Sequence, residues 1–148
     1  MMAGNNRAII WDDRSADLMI AIQNSNKNKV KMLIEAGVNL NLKDNEGWTP
    51  LMMAARYSNT ELTENTVKML IEAGADLNLK NNEGLTALMT AVYLSNKRST
   101  ENTVKMLIDA GANLDLQGKN SITALMLAAG YSKNDSTENT VKMLIERC

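Results

Sequence analysis

The chain has 148 residues, the size of one ordinary domain and enough to bury a continuous core. Its 45% apolar share contains eleven Met, two Trp, three Tyr and no Phe, so the core must be built from Leu, Ile, Val, Ala and Met, which suits packed helices better than a sandwich or barrel. Sixteen basic residues against seventeen acidic ones leave a net charge of −1 with no face-long basic run, which argues against nucleic acid as a partner.

Taken in chain order, Met1 to Asn6 reads as a disordered lead-in, and residues 1–10 together are expected to precede the folded domain. No N-terminal apolar stretch resembles a signal peptide and no window reaches 18 apolar residues, so neither secretion nor a membrane span is expected. A repeat then governs residues 11–148. Thr49-Pro50-Leu51-Met52 recurs as Thr86-Ala87-Leu88-Met89 and as Thr123-Ala124-Leu125-Met126, each step being 37 residues. The run Thr63-Glu64-Asn65-Thr66-Val67-Lys68-Met69-Leu70-Ile71 recurs from Thr100 and from Thr137. Between Asp44–Lys80 and Asn81–Gln117, 23 of 37 positions are identical. A divergent first copy comes earlier: Leu18-Met19-Ile20-Ala21 matches Leu51-Met52-Met53-Ala54, and Val30 to Gly37 matches the later second halves. The units are read as about 11–43, 44–80, 81–117 and 118–148.

Each unit predicts two short helices and a turn. Pro50 suits a first helical position, where its missing N–H has no intrahelical partner. Leu51, Ala54 and Ala55 share one face at three- and four-residue spacing, and the small alanines admit a neighbouring helix closely. A second helix is expected from Thr63 as N-cap, with Glu64 placed well against the helix dipole and Val67, Leu70 and Ile71 as its buried stripe. Gly74 ends it, because the residue after the C-cap usually needs positive φ. Asp76-Leu77-Asn78-Leu79-Lys80 then alternates in an extended segment, and Asn82-Glu83-Gly84 turns the chain into the next helix. The final helix, Val141-Lys142-Met143-Leu144-Ile145, keeps the internal pattern where a terminal repeat normally turns polar. That uncapped face suggests weak homodimerisation, another bound chain, or truncation of a longer array. The first unit reads as better capped, with Asp12, Asp13, Arg14 and Asp17 about its helix start.

The pattern Asp44-x-x-Gly47-x-Thr49-Pro50-Leu51-Met52-x-Ala54-Ala55, then Val67-x-x-Leu70-Ile71-x-Ala73-Gly74-Ala75-Asp76-x-Asn78, resembles the ankyrin repeat. The resemblance covers about residues 11–148 and implies an all-α solenoid of stacked helix–turn–helix units with short hairpin-like turns. Met52, Met89 and Met126 stand where the family usually carries histidine. The family period is 33, and the later units carry about four extra residues: Asn59-Thr60-Glu61-Leu62, Asn96-Lys97-Arg98-Ser99 and Lys133-Asn134-Asp135-Ser136. These are expected to lengthen the connection between the two helices. Ser121 replaces the turn glycine of the fourth unit, so that turn is expected to be strained or differently shaped.

Chemistry is sparse. The chain has no histidine, which removes the commonest general base and metal ligand. Its one cysteine, Cys148, can form no intramolecular disulfide and reads as incidental, so an intracellular, cytoplasmic protein is expected. No phosphate-binding glycine loop is present. Glu35, Glu72 and Asp109 recur at one repeat position and mark a solvated helix face, while Asp44-Asn45-Glu46-Gly47 is too short for a calcium loop. No catalytic residue, metal or cofactor is expected, and the chain is not read as an enzyme.

The resemblance implies a partner protein bound on the concave surface of turn tips and first helices. The informative positions are those that vary between near-identical units. Trp48, Leu85 and Ile122 occupy one slot before the repeated threonine and are expected to be exposed. Arg56, Tyr57, Tyr93, Leu94 and Tyr131 end the first helices, and Glu46 and Glu83 sit on the fingertips. Trp, Tyr and Arg dominate interface hot spots. For Tyr57, Leu94 and Tyr131 packing against the neighbouring unit is an equal alternative. The expected function is that of a protein-interaction module: adaptor, scaffold or inhibitor. The alternative is an engineered or purely structural repeat protein with no dedicated partner, although a consensus design would have erased the variation. Near-identical tandem units suggest recent duplication, an arrangement common in ankyrin proteins that large viruses and intracellular bacteria deploy in host cells, which would place the chain in host cytoplasm.

Overall fold

The structure, a computed structural model, describes residues 7–58, 60–94, 101–130 and 135–147. These residues form eight α-helices and no strand: α1 (Arg7–Gln23), α2 (Lys27–Glu35), α3 (Pro50–Arg56), α4 (Glu61–Glu72), α5 (Ala87–Tyr93), α6 (Glu101–Asp109), α7 (Ala124–Gly130) and α8 (Asp135–Arg147). The odd-numbered helices pack side by side in one layer and the even-numbered helices in a second, with each odd helix also resting on the even helix that follows it. The result is the all-α solenoid that the sequence period predicts.

Short helices of this kind are marginal alone and depend on caps and packing. Thr49 and Thr86 sit at the N-caps of α3 and α5 in extended conformation, and their hydroxyls accept from the backbone N–H groups of Met52 and Met89 at 3.2 Å. Pro50 occupies the first turn of α3 as expected. After α4, Gly74 takes φ +93° and its N–H donates to the carbonyl of Ile71 at 3.0 Å.

Three expectations are corrected. First, α1 begins at Arg7, inside the stretch read as lead-in, and runs 17 residues because Arg7 to Gln23 contains neither Gly nor Pro to stop it. Asp12, Asp13, Arg14 and Asp17 therefore lie within a helix rather than around its start, and Ile20 and Met32 of this first unit are exposed. Second, α4 is capped by Thr60 and not by Thr63. Thr63 is the third helical residue, and the two threonines form a reciprocal capping box: the Thr63 N–H donates to Thr60 Oγ1 at 3.3 Å and the Thr60 N–H to Thr63 Oγ1 at 3.1 Å. Two orphan donors are satisfied at once, and the helix gains a turn. Third, in the second and fourth units extra residues lengthen the helix more than the connection. Helix α4 has 12 residues and α8 has 13, against nine in α2, and Glu61 and Asp135 are both helical. The insert Asn96–Ser99 lies outside the described residues, as do Asn59, Tyr131, Lys133, Asn134 and Cys148.

The core runs between the two layers along the whole stack. Leu18, Leu51 and Leu88 from the first layer meet Val67, Leu70, Val104, Leu107 and Leu144 from the second, and Ala54, Ala55 and Ala91 allow the close helix approach. Met52 and Met89, at the family's histidine position, are buried within it. A polar tie crosses from the second unit to the third: Thr103 Oγ1 donates to the buried Ser58 Oγ at 2.6 Å, and Ser58 in turn donates to the Ala55 carbonyl at 3.0 Å. On the outer layer, the Asp109 carboxylate accepts from Lys105 Nζ at 2.6 Å and Arg147 Nη2 at 2.7 Å.

Equivalent residues change environment at the last unit. Met89 is 1% exposed and its counterpart Met126 is 57% exposed, while Ile108 is 7% exposed and Ile145 is 58% exposed. Position within the stack, not residue type, decides burial. Ile108→Ala is therefore expected to destabilise by about 2–5 kcal/mol and Ile145→Ala by under about 1 kcal/mol, measured by urea unfolding of each variant beside the parent. Equal losses would show that the last unit is covered in solution.

The hydrogen bonds from Lys105, then from Arg147, hold the Asp109 carboxyl below its usual pKa. Because the folded value is depressed, the stabilisation is present above the ordinary aspartate range and is lost as pH falls through the lowered pKa. In a carboxyl-detected NMR titration the Asp109 midpoint should lie below that of an unperturbed aspartate and rise in Arg147→Ala. An Asp109 midpoint indifferent to that substitution would mean that the Arg147 pair does not persist in solution.

Candidate functional site

The turns that precede α3 and α5 share one construction. The Asp44 N–H donates to the Trp48 carbonyl at 2.9 Å, and Asp44 Oδ1 accepts from the backbone N–H groups of Glu46 and Trp48, both at 2.9 Å. Asn81 repeats this with Leu85 and Glu83 at 2.9–3.0 Å, and its own buried Nδ2 has no hydrogen-bond partner among the described residues. One side-chain oxygen thereby fixes each fingertip. In the fourth unit Gly118 stands at the equivalent place and has no side chain to do so. Its turn is a 3-10 segment, Lys119–Ser121, in which Asn120 and Ser121 both take φ 60°. The expected change of shape at Ser121 is therefore present.

Neighbouring fingertips touch through backbone. A Cβ on Gly47 would stand 2.8 Å from the Asn82 nitrogen, and one on Gly84 would stand 2.8 Å from the Lys119 nitrogen. The Asn82 N–H donates to the Glu46 carbonyl at 3.0 Å and Asn82 Nδ2 to the Asn45 carbonyl at 3.1 Å. Farther back, Lys43 Nζ reaches the Lys80 carbonyl at 2.8 Å, and Lys80 Nζ reaches that of Gln117 at 2.6 Å. These ties hold successive fingertips at a fixed spacing, so the side chains beside them are positioned by rigid elements.

Between the second and third units lies a groove of about 360 Å³, lined by Trp48, Arg56, Glu83, Leu85, Thr90, Tyr93 and Leu94. Six of these seven were singled out from variation between the repeats. Trp48 is corrected: it was expected to be exposed and is 9% exposed, part of the core. The Arg56 guanidinium carbon stands 5.2 Å from the centre of its ring and covers it. The contact joins the end of α3 to the residue just before its cap. The same carbon is 5.3 Å from the Tyr57 ring. Arg56, Leu85 and Leu94 are half-buried, Tyr57 is exposed and Tyr93 is 44% exposed. Glu46 and Glu83 are exposed on their fingertips, whereas Ile122 is half-buried and is not part of the groove wall. Tyr131 lies outside the described residues. Thr90 was missed. It is buried, its hydroxyl donates to the Thr86 carbonyl at 3.0 Å, and its signal was present as the one polar residue in the column Met53, Thr90, Leu127.

Among the described residues no three metal-ligating side chains converge, and no helix is long and apolar enough to cross a membrane. The model of a known family, ankyrin repeats in three copies, matches residues 18–118. The chain is also similar to the mouse SMC5-SMC6 complex localization factor protein 1, with 40% identity over 45 residues, which is 30% of this chain and 4% of that protein. The chain thus spans a small part of that relative. With a family match over more than half of its residues, on a stack of helix pairs carrying the repeat's turns and caps, this chain belongs to the ankyrin repeat family.

Proposed function

We propose that this protein is a protein-interaction module that seats its partner in the groove between the second and third units, as an adaptor, scaffold or inhibitor. Ankyrin repeats generally serve as interaction modules, and that general role is the starting point. The observation that carries the reading is the distribution of variation. Between the second and third units, frame residues such as the capping threonines, the leucine stripes and the fingertip glycines recur, while Trp48/Leu85, Arg56/Tyr93 and Tyr57/Leu94 differ, and these gather around one groove. Rigid framing of a few large aromatic, aliphatic and guanidinium groups is what lowers the entropy of binding and concentrates its energy. The mouse relative's name, a localization factor for a complex, is in keeping with an adaptor, although the shared stretch is confined to 45 residues.

The test must spare the core, so Trp48 stays unchanged. The triple variant Arg56→Ala, Tyr93→Ala, Leu94→Ala is run beside Lys31→Ala, Lys68→Ala, whose side chains are exposed on the outer layer. A partner captured from lysate, then purified, should bind the groove variant at least about tenfold more weakly in isothermal titration and the outer-layer variant unchanged. A partner that tolerates the groove variant but not the outer-layer one would place binding on the opposite face.

A further inference from the structure

We infer that the segment seated in this groove is a peptide that carries an Asp or Glu carboxylate next to a large apolar side chain, the carboxylate docking on Arg56. This rests on reading the groove as the binding face. The first ground is the state of Arg56. Its guanidinium is held against Trp48 and Tyr57 at 5.2 and 5.3 Å, and no ion pair or side-chain hydrogen bond joins it to another described residue. The ion pairs among those residues are the two on Asp109. Ring contacts hold the planar fork still and leave its N–H donors unspent among the described residues, so little rotamer freedom remains to be lost when a carboxylate arrives.

The second ground is the groove's polarity. Glu83, from the next fingertip, lines the same groove with no ion pair to a described residue, and Glu46 is exposed on the fingertip beside it. These two charges repel an acidic group from the fingertip end, and among the described residues that line the groove Arg56 is the basic one. They also argue against a phosphate: among the described lining residues a dianion would meet one guanidinium, with Glu83 in the same groove. Between Arg56 and Glu83 the wall is apolar, from Leu85, Leu94 and Tyr93. A volume of about 360 Å³ is near the lower end of ligand pockets, which suits one or two side chains rather than a whole helix.

The experiment pans a phage-displayed library of random peptides on the wild-type chain, with Tyr93→Ala, Leu94→Ala as counter-target. Peptides retained by the first and not the second should carry Asp or Glu within two positions of Leu, Met, Phe or Trp. A fluorescein-labelled synthetic peptide of the leading sequence is then titrated by anisotropy. Replacing its acidic residue by the amide, or Arg56→Met in the protein, should each weaken binding by about tenfold or more, and both together no further. Arg56→Met keeps a flexible apolar chain over Trp48, and an unchanged thermal midpoint confirms that it folds. If groove-dependent peptides lack acidic residues, prefer phosphoserine to glutamate, or are indifferent to Arg56, the carboxylate inference falls and the binding face stands. If no retained peptide depends on Tyr93 and Leu94, the binding face itself falls and takes the inference with it.

Discussion

Met52 and Met89 are buried because another unit lies over them, and Met126, which follows the same Thr-x-Leu lead-in, is exposed because no described residue does. A pair of helices seven to seventeen residues long has too little surface between its own members to hide an apolar stripe on both flanks. Stability therefore resides at the faces between units, and each unit is folded only as well as its neighbour is. The close-packing alanines and the hydroxyl tie between Thr103 and Ser58 serve that one requirement.

Stacking imposes a second demand at the fingertips. Units repeated at a fixed interval bring their turns within backbone contact, so Gly47 and Gly84 have no room for a side chain, and each also sits at positive φ. Polar groups that meet there must find partners. Asp44 and Asn81 satisfy the turn from within, while Asn82, Lys43 and Lys80 satisfy carbonyls across units. The frame is consequently rigid along the groove, and a rigid frame is what allows a few side chains to be exchanged without loss of the fold.

Arg56 and Trp48 connect the two roles. The indole contributes most of its surface to the core and little to the groove, and the guanidinium that covers it forms part of the groove wall. A substitution at Trp48 thus acts on stability first, whereas Tyr93, Leu94 and Arg56 can change the groove with less effect on the core. In a repeat fold the residue that varies most visibly between units is not always the residue that meets a partner.

The period of 37, the paired helices, the buried stripes and the absence of histidine chemistry were all legible in the residues, because identical strings in register must adopt the same local structure. The Thr60 cap was not, since Thr60 and Thr63 are equally good caps locally and the choice turns on the reciprocal bonds they form once the helix exists. Nor was the burial of Trp48: its slot holds Leu85 and Ile122 in the later units, both only half-buried, whereas the indole joins the core and has the Arg56 guanidinium over its ring. Local pattern sets which elements form, because helix and turn preferences act over a few residues. Exposure is a property of what lies opposite, so the groove and its lining were decided by stacking units 37 residues apart.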